Sequence, residues 1–126
     1  VGSLTRTPHG RYPQYHTSGD DLELVRPEHI LASLGVYRRV VEVLEANCTW
    51  RNTNPKCEPQ LGRRGLYSSL GGRQDTKTIE MAMFWVLNLS DGDHSLLDIV
   101  ERSGMRFGDV QEAVQLLRHH ALLEAA

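Results

Sequence analysis

The segment "RPEHILASLGVYRRVVEVLEAN", residues 26–47, constrains the fold most because it predicts a long helix with one apolar face. Pro27 takes a first-turn position that needs no N–H donor, and Glu28 lies near the positive end of the helix dipole. Apolar residues recur at three- and four-residue steps, namely Ile30, Leu31, Leu34, Val41 and Leu44. Such a helix must pack on another part of the protein.

The first 26 residues predict a short strand followed by a long loop. "SLTR" at 3–6 is the candidate strand, and frequent prolines and glycines then interrupt any regular element: Pro8, Gly10, Pro13 and Gly19. Loops of this kind commonly carry function when a rigid scaffold holds them.

Residues 48–75 are again rich in proline and glycine and predict a linker between two modules. A segment this long is unusual as a structureless connection. We therefore expect it to lie against a surface through four residues: Leu61, Leu66, Tyr67 and Leu70.

Residues 76–126 predict three short helices. Ser95 is a plausible N-cap of the second helix, Gly104 ends it, and the third helix begins only a few residues later. This is the spacing of a helix-turn-helix. Four apolar residues of the first of these helices, Met81, Met83, Phe84 and Trp85, are expected in a core.

The charge of this C-terminal segment argues against DNA binding. Residues 73–126 hold five basic and nine acidic side chains, a formal net charge of −4. The expected recognition helix begins with Gly108, Asp109, Gln111 and Glu112, which would place acid beside phosphates. The terminal "LLEAA" leaves little sequence for a wing hairpin. We expect a structural or protein-contacting module.

The whole chain of 126 residues has a formal net charge of −2 and an isoelectric point near 6.3, which favours neither nucleic acid nor an anionic membrane. No apolar run approaches the roughly 20 residues that span a bilayer, and the N-terminus lacks a signal peptide core. We expect a cytoplasmic protein.

Cys48 and Cys57 lack zinc-site spacing and predict free thiols, or a local disulfide if the protein is secreted. His119 and His120 are adjacent and so predict solvated or cap-adjacent histidines, not a metal pair.

"RTPHGRYPQYHTSGDDL", residues 6–22, resembles the last metal-binding loop of the zinc aminopeptidase-like family. "NPKCEPQLGRRGLY" and "FWVLNLSDGDHSLLDI" also resemble the C-terminal part of that family. The resemblance implies a mostly α chain. Residues 1–47 would be the strand-loop-helix remnant of an α/β/α zinc-peptidase domain, 48–75 a linker, and 76–126 a winged-helix-like helix-turn-helix domain.

The resemblance implies that His16 coordinates zinc, that Asp20 shapes the loop as an acidic partner, and that Tyr12 and Tyr15 line the pocket. A neutral imidazole suits Zn²⁺, and a nearby carboxylate can fix its tautomer. From the residues alone, His16 could instead act as a general base or merely brace its own turn.

One histidine does not hold a catalytic zinc, which needs at least three protein ligands and an open position for water. Neither His9 nor Asp21 matches the motif as a further ligand. We expect the C-terminal part of a longer peptidase-like protein, completed by a missing N-terminal peptidase segment. Zinc and a peptide substrate would bind only in the intact protein. Cys57 stands where a small turn residue such as glycine is expected.

Two other function classes remain open. The first is a non-enzymatic winged-helix interaction module, in which a partner or a second copy of the chain covers the apolar face of helix 27–46. The second is a DNA-binding regulator, which the acidic C-terminal segment disfavours.

Overall fold

A computed structural model describes residues 2–69 and 76–126. In chain order its helices and strands are α1 (Pro27–Ala46), β1 (Thr49–Asn52), α2 (Leu66–Ser69), α3 (Thr76–Leu89), β2 (Asp91–Ser95), α4 (Leu96–Ser103), α5 (Phe107–His119) and β3 (Leu123–Ala125). The mostly α fold is confirmed. The chain divides after Leu44 into two compact units. Within the described residues, each helix is too short or too polar to cross a membrane.

The first unit consists of an N-terminal segment without regular structure, a loop of successive turns, and α1. The predicted helix 27–46 is confirmed with the same bounds. The strand predicted at "SLTR" is not formed, because among residues 2–44 no second strand is available to pair with it. Side chains of the unit hold this segment instead. The Tyr37 hydroxyl donates to the Leu4 carbonyl at 2.7 Å, and Arg6 donates to the His29 carbonyl at 3.2 Å.

None of the residues of α1 is buried. Its large apolar side chains are 41% to 65% exposed: Ile30, Leu31, Leu34, Val36, Tyr37, Val40, Val41 and Leu44. An exposed apolar surface of this extent marks a contact region in a soluble protein. The described residues of the first unit therefore do not bury the apolar face of α1.

The second unit has a closed hydrophobic core between α3, α4, α5 and the small sheet. Fifteen buried apolar residues form it: Leu61, Leu66, Ile79, Ala82, Met83, Val86, Leu89, Leu96, Ile99, Val110, Ala113, Val114, Leu117, Leu122 and Leu123. The helices contribute their apolar stripes, as the three- and four-residue spacing predicts. The three helices predicted after Thr76 are confirmed.

The three strands form one antiparallel sheet in the order β2-β1-β3. Thr49 pairs with Ser95 on one side of β1, and Trp50 pairs with Ala125 on the other. The central strand therefore comes from the segment predicted as a linker. Leu61 and Leu66 of the same segment are fully buried.

The structure thus differs from the predicted linker 48–75, since all of its described part, residues 48–69, belongs to the second unit. The four residues of β1 are too few to show the alternation of apolar and polar side chains that predicts a strand. The strand is recognised only from its pairing with β2 and β3. Tyr67 is 36% exposed and lies at the surface of the unit. Leu70, also expected on that surface, lies outside the described residues.

The sheet lacks a hairpin after the helix-turn-helix within the described residues. Only β3 follows α5, and its neighbour β1 comes from before α3. The strand beside β3 is therefore an upstream strand, β1.

Both predicted ends of α4 are confirmed. Ser95 forms a capping box with Asp98, and Gly104 adopts a left-handed conformation with φ +68° at the C-terminus. The segment before β1 satisfies further N–H groups of this helix. The Asn47 side chain accepts from the Leu97 N–H at 3.0 Å.

The Asp-Gly-Asp segment, residues 91–93, is the beginning of β2. The Asp91 carboxylate accepts the N–H groups of Asp93 and His94 at 2.9 and 3.1 Å, and His94 Nδ1 lies 2.8 Å from it. The Asp93 hydrogen bond, followed by those of His94, lowers the pKa of Asp91 to about 2.

We expect Asp91 to make the second unit acid-sensitive. Since its pKa is lowered on folding, its contribution to stability is complete above about pH 4 and is lost as the pH falls towards about 2. Asp91→Asn should lower the denaturant concentration at the unfolding midpoint at pH 7. The difference in midpoint between this variant and the wild type should become smaller as the pH falls. Chemical denaturation followed by circular dichroism measures this. Asp93→Asn is the matched control and should shift the midpoint little; an equal shift in both variants would contradict the assignment.

Cys57 has φ +65°, in the left-handed region that favours glycine. The glycine-like turn expected at this position is therefore present although the residue is cysteine. The left-handed conformation costs a residue with a side chain roughly 1 to 2 kcal/mol, and glycine loses about 0.5 to 1 kcal/mol more entropy on folding.

Cys57→Gly should therefore raise the free energy of unfolding by about 0.5 to 1 kcal/mol. Urea denaturation under reducing conditions measures it. The control is Cys48→Gly at the other exposed cysteine, which does not have positive φ and should lose stability. A loss of stability in Cys57→Gly would show that the backbone there is not strained.

Candidate functional site

The loop before α1 is built from successive tight turns. Backbone N–H groups donate to the carbonyl three residues earlier at Arg11, Tyr15, Thr17 and Asp20. Prolines and glycines in this segment favour such turns. The Asp21 carboxylate closes the loop by accepting the N–H groups of Glu23 and Leu24 at 2.9 and 3.3 Å.

His16 occupies the third position of a turn from Gln14 to Thr17, with φ +57°. The Thr17 N–H and hydroxyl both donate to the Gln14 carbonyl, at 3.1 and 2.8 Å. Glycine or asparagine is usual at a turn position with positive φ. A histidine that holds this conformation is a reason to examine its function. The turn leaves the imidazole exposed.

Aromatic contacts connect the predicted site residues. The Tyr15 ring lies 4.2 Å from the His16 ring between centroids, and its other ring contacts are with Tyr12 at 5.6 Å and His9 at 5.5 Å. Tyr15 thus links His16 to the rest of the loop. The stack restricts the orientation of the exposed imidazole.

Tyr12 and Asp20 line a cleft of about 610 Å³ between the loop and α1. Its apolar lining comes mainly from the loop end and α1: Leu24, Val25, Ile30, Leu34 and Tyr37. His16 is not among the residues that line it. The structure therefore places Tyr12 and Asp20 at the same cleft, and Tyr15 contacts both His16 and Tyr12.

Two histidines of the cleft were not assigned from the sequence. His9 stacks on Tyr15, and His29 lies in the first turns of α1 with Nδ1 3.3 Å from the Leu24 carbonyl oxygen. Both line the cleft. His29 belongs to no sequence motif that would mark it as a site residue. Its place in the cleft follows only from the fold, in which the loop packs back against α1.

The described residues 2–69 and 76–126 hold no group of three or more His, Cys, Asp or Glu side chains that could bind a metal ion. His16 can offer one nitrogen, which fits one zinc ligand but not a catalytic site. The described part of the chain therefore does not complete the zinc site that the resemblance implies, and we assign no catalytic step to it.

The start of α5 is the candidate nucleic-acid interface. Arg106 precedes it, and its guanidinium makes a two-point contact with Asp109 at 3.0 and 3.0 Å. This cation is therefore engaged by an acid on the same helix. The unit does gain four basic residues from β1 and the segment after it, namely Arg51, Lys56, Arg63 and Arg64, which a count from residue 73 omits.

The remaining predictions on single residues have mixed outcomes. Cys48 and Cys57 are free and exposed. His120 is the C-cap of α5, as a cap-adjacent histidine predicts. Met83 is fully buried, but Met81 and Phe84 are 51% and 37% exposed, so their expected core placement is wrong.

A model for a domain of unknown function (DUF4910) matches residues 1–47. A Clostridium acetobutylicum protein described as "Putative polysaccharide biosynthesis protein with aminopeptidase-like domain" is 47% identical over 98% of the chain and is covered over 28% of its own length. A crystal structure of a "putative peptidase" from Clostridium acetobutylicum shares 42% identity with a TM-score of 0.77, over 91% of this chain and 24% of that one.

The chain thus spans only about a quarter of the length of these relatives. The TM-score at this identity indicates that the chain shares its fold with the matching part of the solved peptidase-like structure. A winged helix-turn-helix model matches residues 48–125, which is more than half of the chain. These bounds agree with the second unit, including β1. The chain therefore belongs to the winged helix-turn-helix family.

Proposed function

We propose that this chain is the C-terminal part of an aminopeptidase-like zinc hydrolase, to which it contributes one zinc ligand, His16, and a protein-contacting winged helix-turn-helix. The observation that carries the proposal is that α1 has no buried residue although its apolar surface is extensive. The names of the relatives, and the quarter of their length that this chain spans, support it.

The first unit has the parts of one strand-loop-helix element without its sheet. The segment 3–6 would be the strand, and a sheet would supply partners for its backbone groups. Grooves beside α1 are lined by Ile30 and Leu34 at one place and by Val36 and Val40 at another. A sheet in the longer protein would pair the segment and cover these grooves.

The position of His16 agrees with this arrangement. In open α/β sheets, ligands bind at the carboxyl ends of the strands. The loop with His16, Tyr12 and Asp20 directly follows the carboxyl end of the candidate strand. Further ligands, and a carboxylate that acts as general base, would come from segments outside this chain. The zinc, once bound, would supply Lewis acid chemistry at the scissile carbonyl.

The test uses the longer protein, extended upstream of Val1. We expect His16→Ala to lower its zinc affinity by at least about tenfold, since even the loss of a group behind a ligand can cost that much. Metal content after dialysis, measured by mass spectrometry, gives the result independently of activity. His9→Ala is the matched control from the same loop and should retain zinc. Full zinc retention in His16→Ala would overturn the ligand role.

The 126-residue chain alone should not hydrolyse aminoacyl substrates, because its described residues provide no three-ligand site. Turnover by the purified chain with stoichiometric zinc would contradict the proposal.

A protein-interaction module that is not part of an enzyme is the second candidate. The apolar surface of α1 and the absence of a wing hairpin among the described residues favour protein contacts over DNA contacts. Aminoacyl hydrolysis by the longer protein distinguishes the two, since only the first candidate requires it.

We expect no salt-dependent duplex binding by the second unit, because Asp109 engages Arg106 at the start of α5. A fluorescence anisotropy titration with a labelled 20-base-pair duplex should be flat at 20 mM salt. Arg106→Ala should leave the titration unchanged. Binding that weakens steeply with added salt would restore the DNA-binding regulator as a candidate.

A further inference from the structure

The face of α3 opposite the core is the apolar surface of the second unit that the proposed function does not use. Four exposed residues define it, and we call them the outward stripe: Lys77, Met81, Phe84 and Asn88. Met81 and Phe84 are 51% and 37% exposed, and Trp85 and Leu87 beside them are partly buried. A helix that is apolar on nearly all sides is usually covered on all sides.

The outward stripe is symmetric about its own midpoint. Met81 and Phe84 lie at equal distances along the helix from the point between Ala82 and Met83, and so do Lys77 and Asn88. A two-fold axis through that point would place Met81 opposite Phe84, and Lys77 opposite Asn88, of a second copy, as in an isologous contact between identical chains. In an antiparallel helix pair, Met81 would meet Phe84 of the other copy twice. Thioether and aromatic groups attract each other in such contacts.

The charges of α3 favour the antiparallel arrangement. Lys77 lies in the first turn, where the helix dipole is positive, while the first turn carries no acidic residue and the last turn carries no basic one. A lysine in the first turn is unfavourable within its own helix and favourable near the C-terminus of another. An antiparallel partner places each Lys77 beside the last turn and Asn88 of the other copy. A parallel partner would instead set the two Lys77 side chains together.

We propose that the outward stripe of α3 is a self-association surface, on which a second copy of the chain binds through an antiparallel α3 pair. The contact is small, so the dimer should form in the micromolar range or above and be weaker than obligate dimers. This inference does not depend on the zinc site or on peptidase activity.

The experiment is sedimentation velocity over a concentration series, on the chain with Cys48→Ser and Cys57→Ser to exclude intermolecular disulfides. Met81→Glu should abolish the concentration-dependent dimer, because it buries a charge against Phe84. Leu34→Glu on α1 is the control for association through the other apolar surface. It should leave the dimer intact.

A charge exchange tests the antiparallel register with variants of exposed residues, which should fold normally. Lys77→Glu should weaken the dimer by roughly tenfold, since two symmetric copies of the ion–dipole attraction are reversed. Asn88→Glu should tighten it by roughly threefold through two new ion pairs with Lys77. The double variant Lys77→Glu with Asn88→Lys should restore the wild-type dissociation constant within about twofold.

Three results would overturn the inference. One is a wild-type chain that remains monomeric up to millimolar concentration. Another is an unchanged dimer in both Met81→Glu and Lys77→Glu. The third is a dimer that Leu34→Glu abolishes, which would place the contact on α1.

Discussion

The covering of apolar helix surface is the constraint on which the rest of this structure depends. Folding leaves a small net stability, so a helix with a wide apolar stripe becomes stable only when another element removes that stripe from water. In the second unit, Leu61, Leu66 and the sheet complete the cover over α3, α4 and α5. In the first unit, none of the residues of α1 is buried. The second unit therefore has its own hydrophobic core, whereas α1 of the first unit has no buried residue.

The difference in burial between the two units also bears on the candidate site. A zinc peptidase site collects ligands from several strands, and a single strand-loop-helix element can contribute only what its own loop carries. Here the loop presents an exposed imidazole in a left-handed turn, with Tyr15 against it and Tyr12 and Asp20 nearby at the cleft. The winged helix-turn-helix unit takes its central strand from upstream. Among the described residues its sheet has the order β2-β1-β3.

Much of the helical structure could be predicted from the sequence, because its signals are local. The periodicity of 27–46, the Ser95 cap and the Gly104 stop each depend on residues within a few positions of one another. The strand β1 could not be predicted, since it is four residues long and its stability comes from β2 and β3, which lie far away in the sequence. For the candidate site, the motif pointed to His16, Tyr12, Tyr15 and Asp20. It could not show that His9 and His29 also line the cleft.

The sequence by itself determined the bounds of α1 and of α4, the apolar face of α1, and the acidic residue in the first turn of α5, because backbone preference and side-chain spacing act over one or two turns. Only the tertiary structure decided that residues 48–69 belong to the second unit, that Met81 and Phe84 point to solvent, and that α1 is not buried within the first unit. The physical reason is that burial depends on which distant elements meet. The spacing of apolar residues predicts that a helix has an apolar face, but the packing of the whole domain determines which element contacts that face.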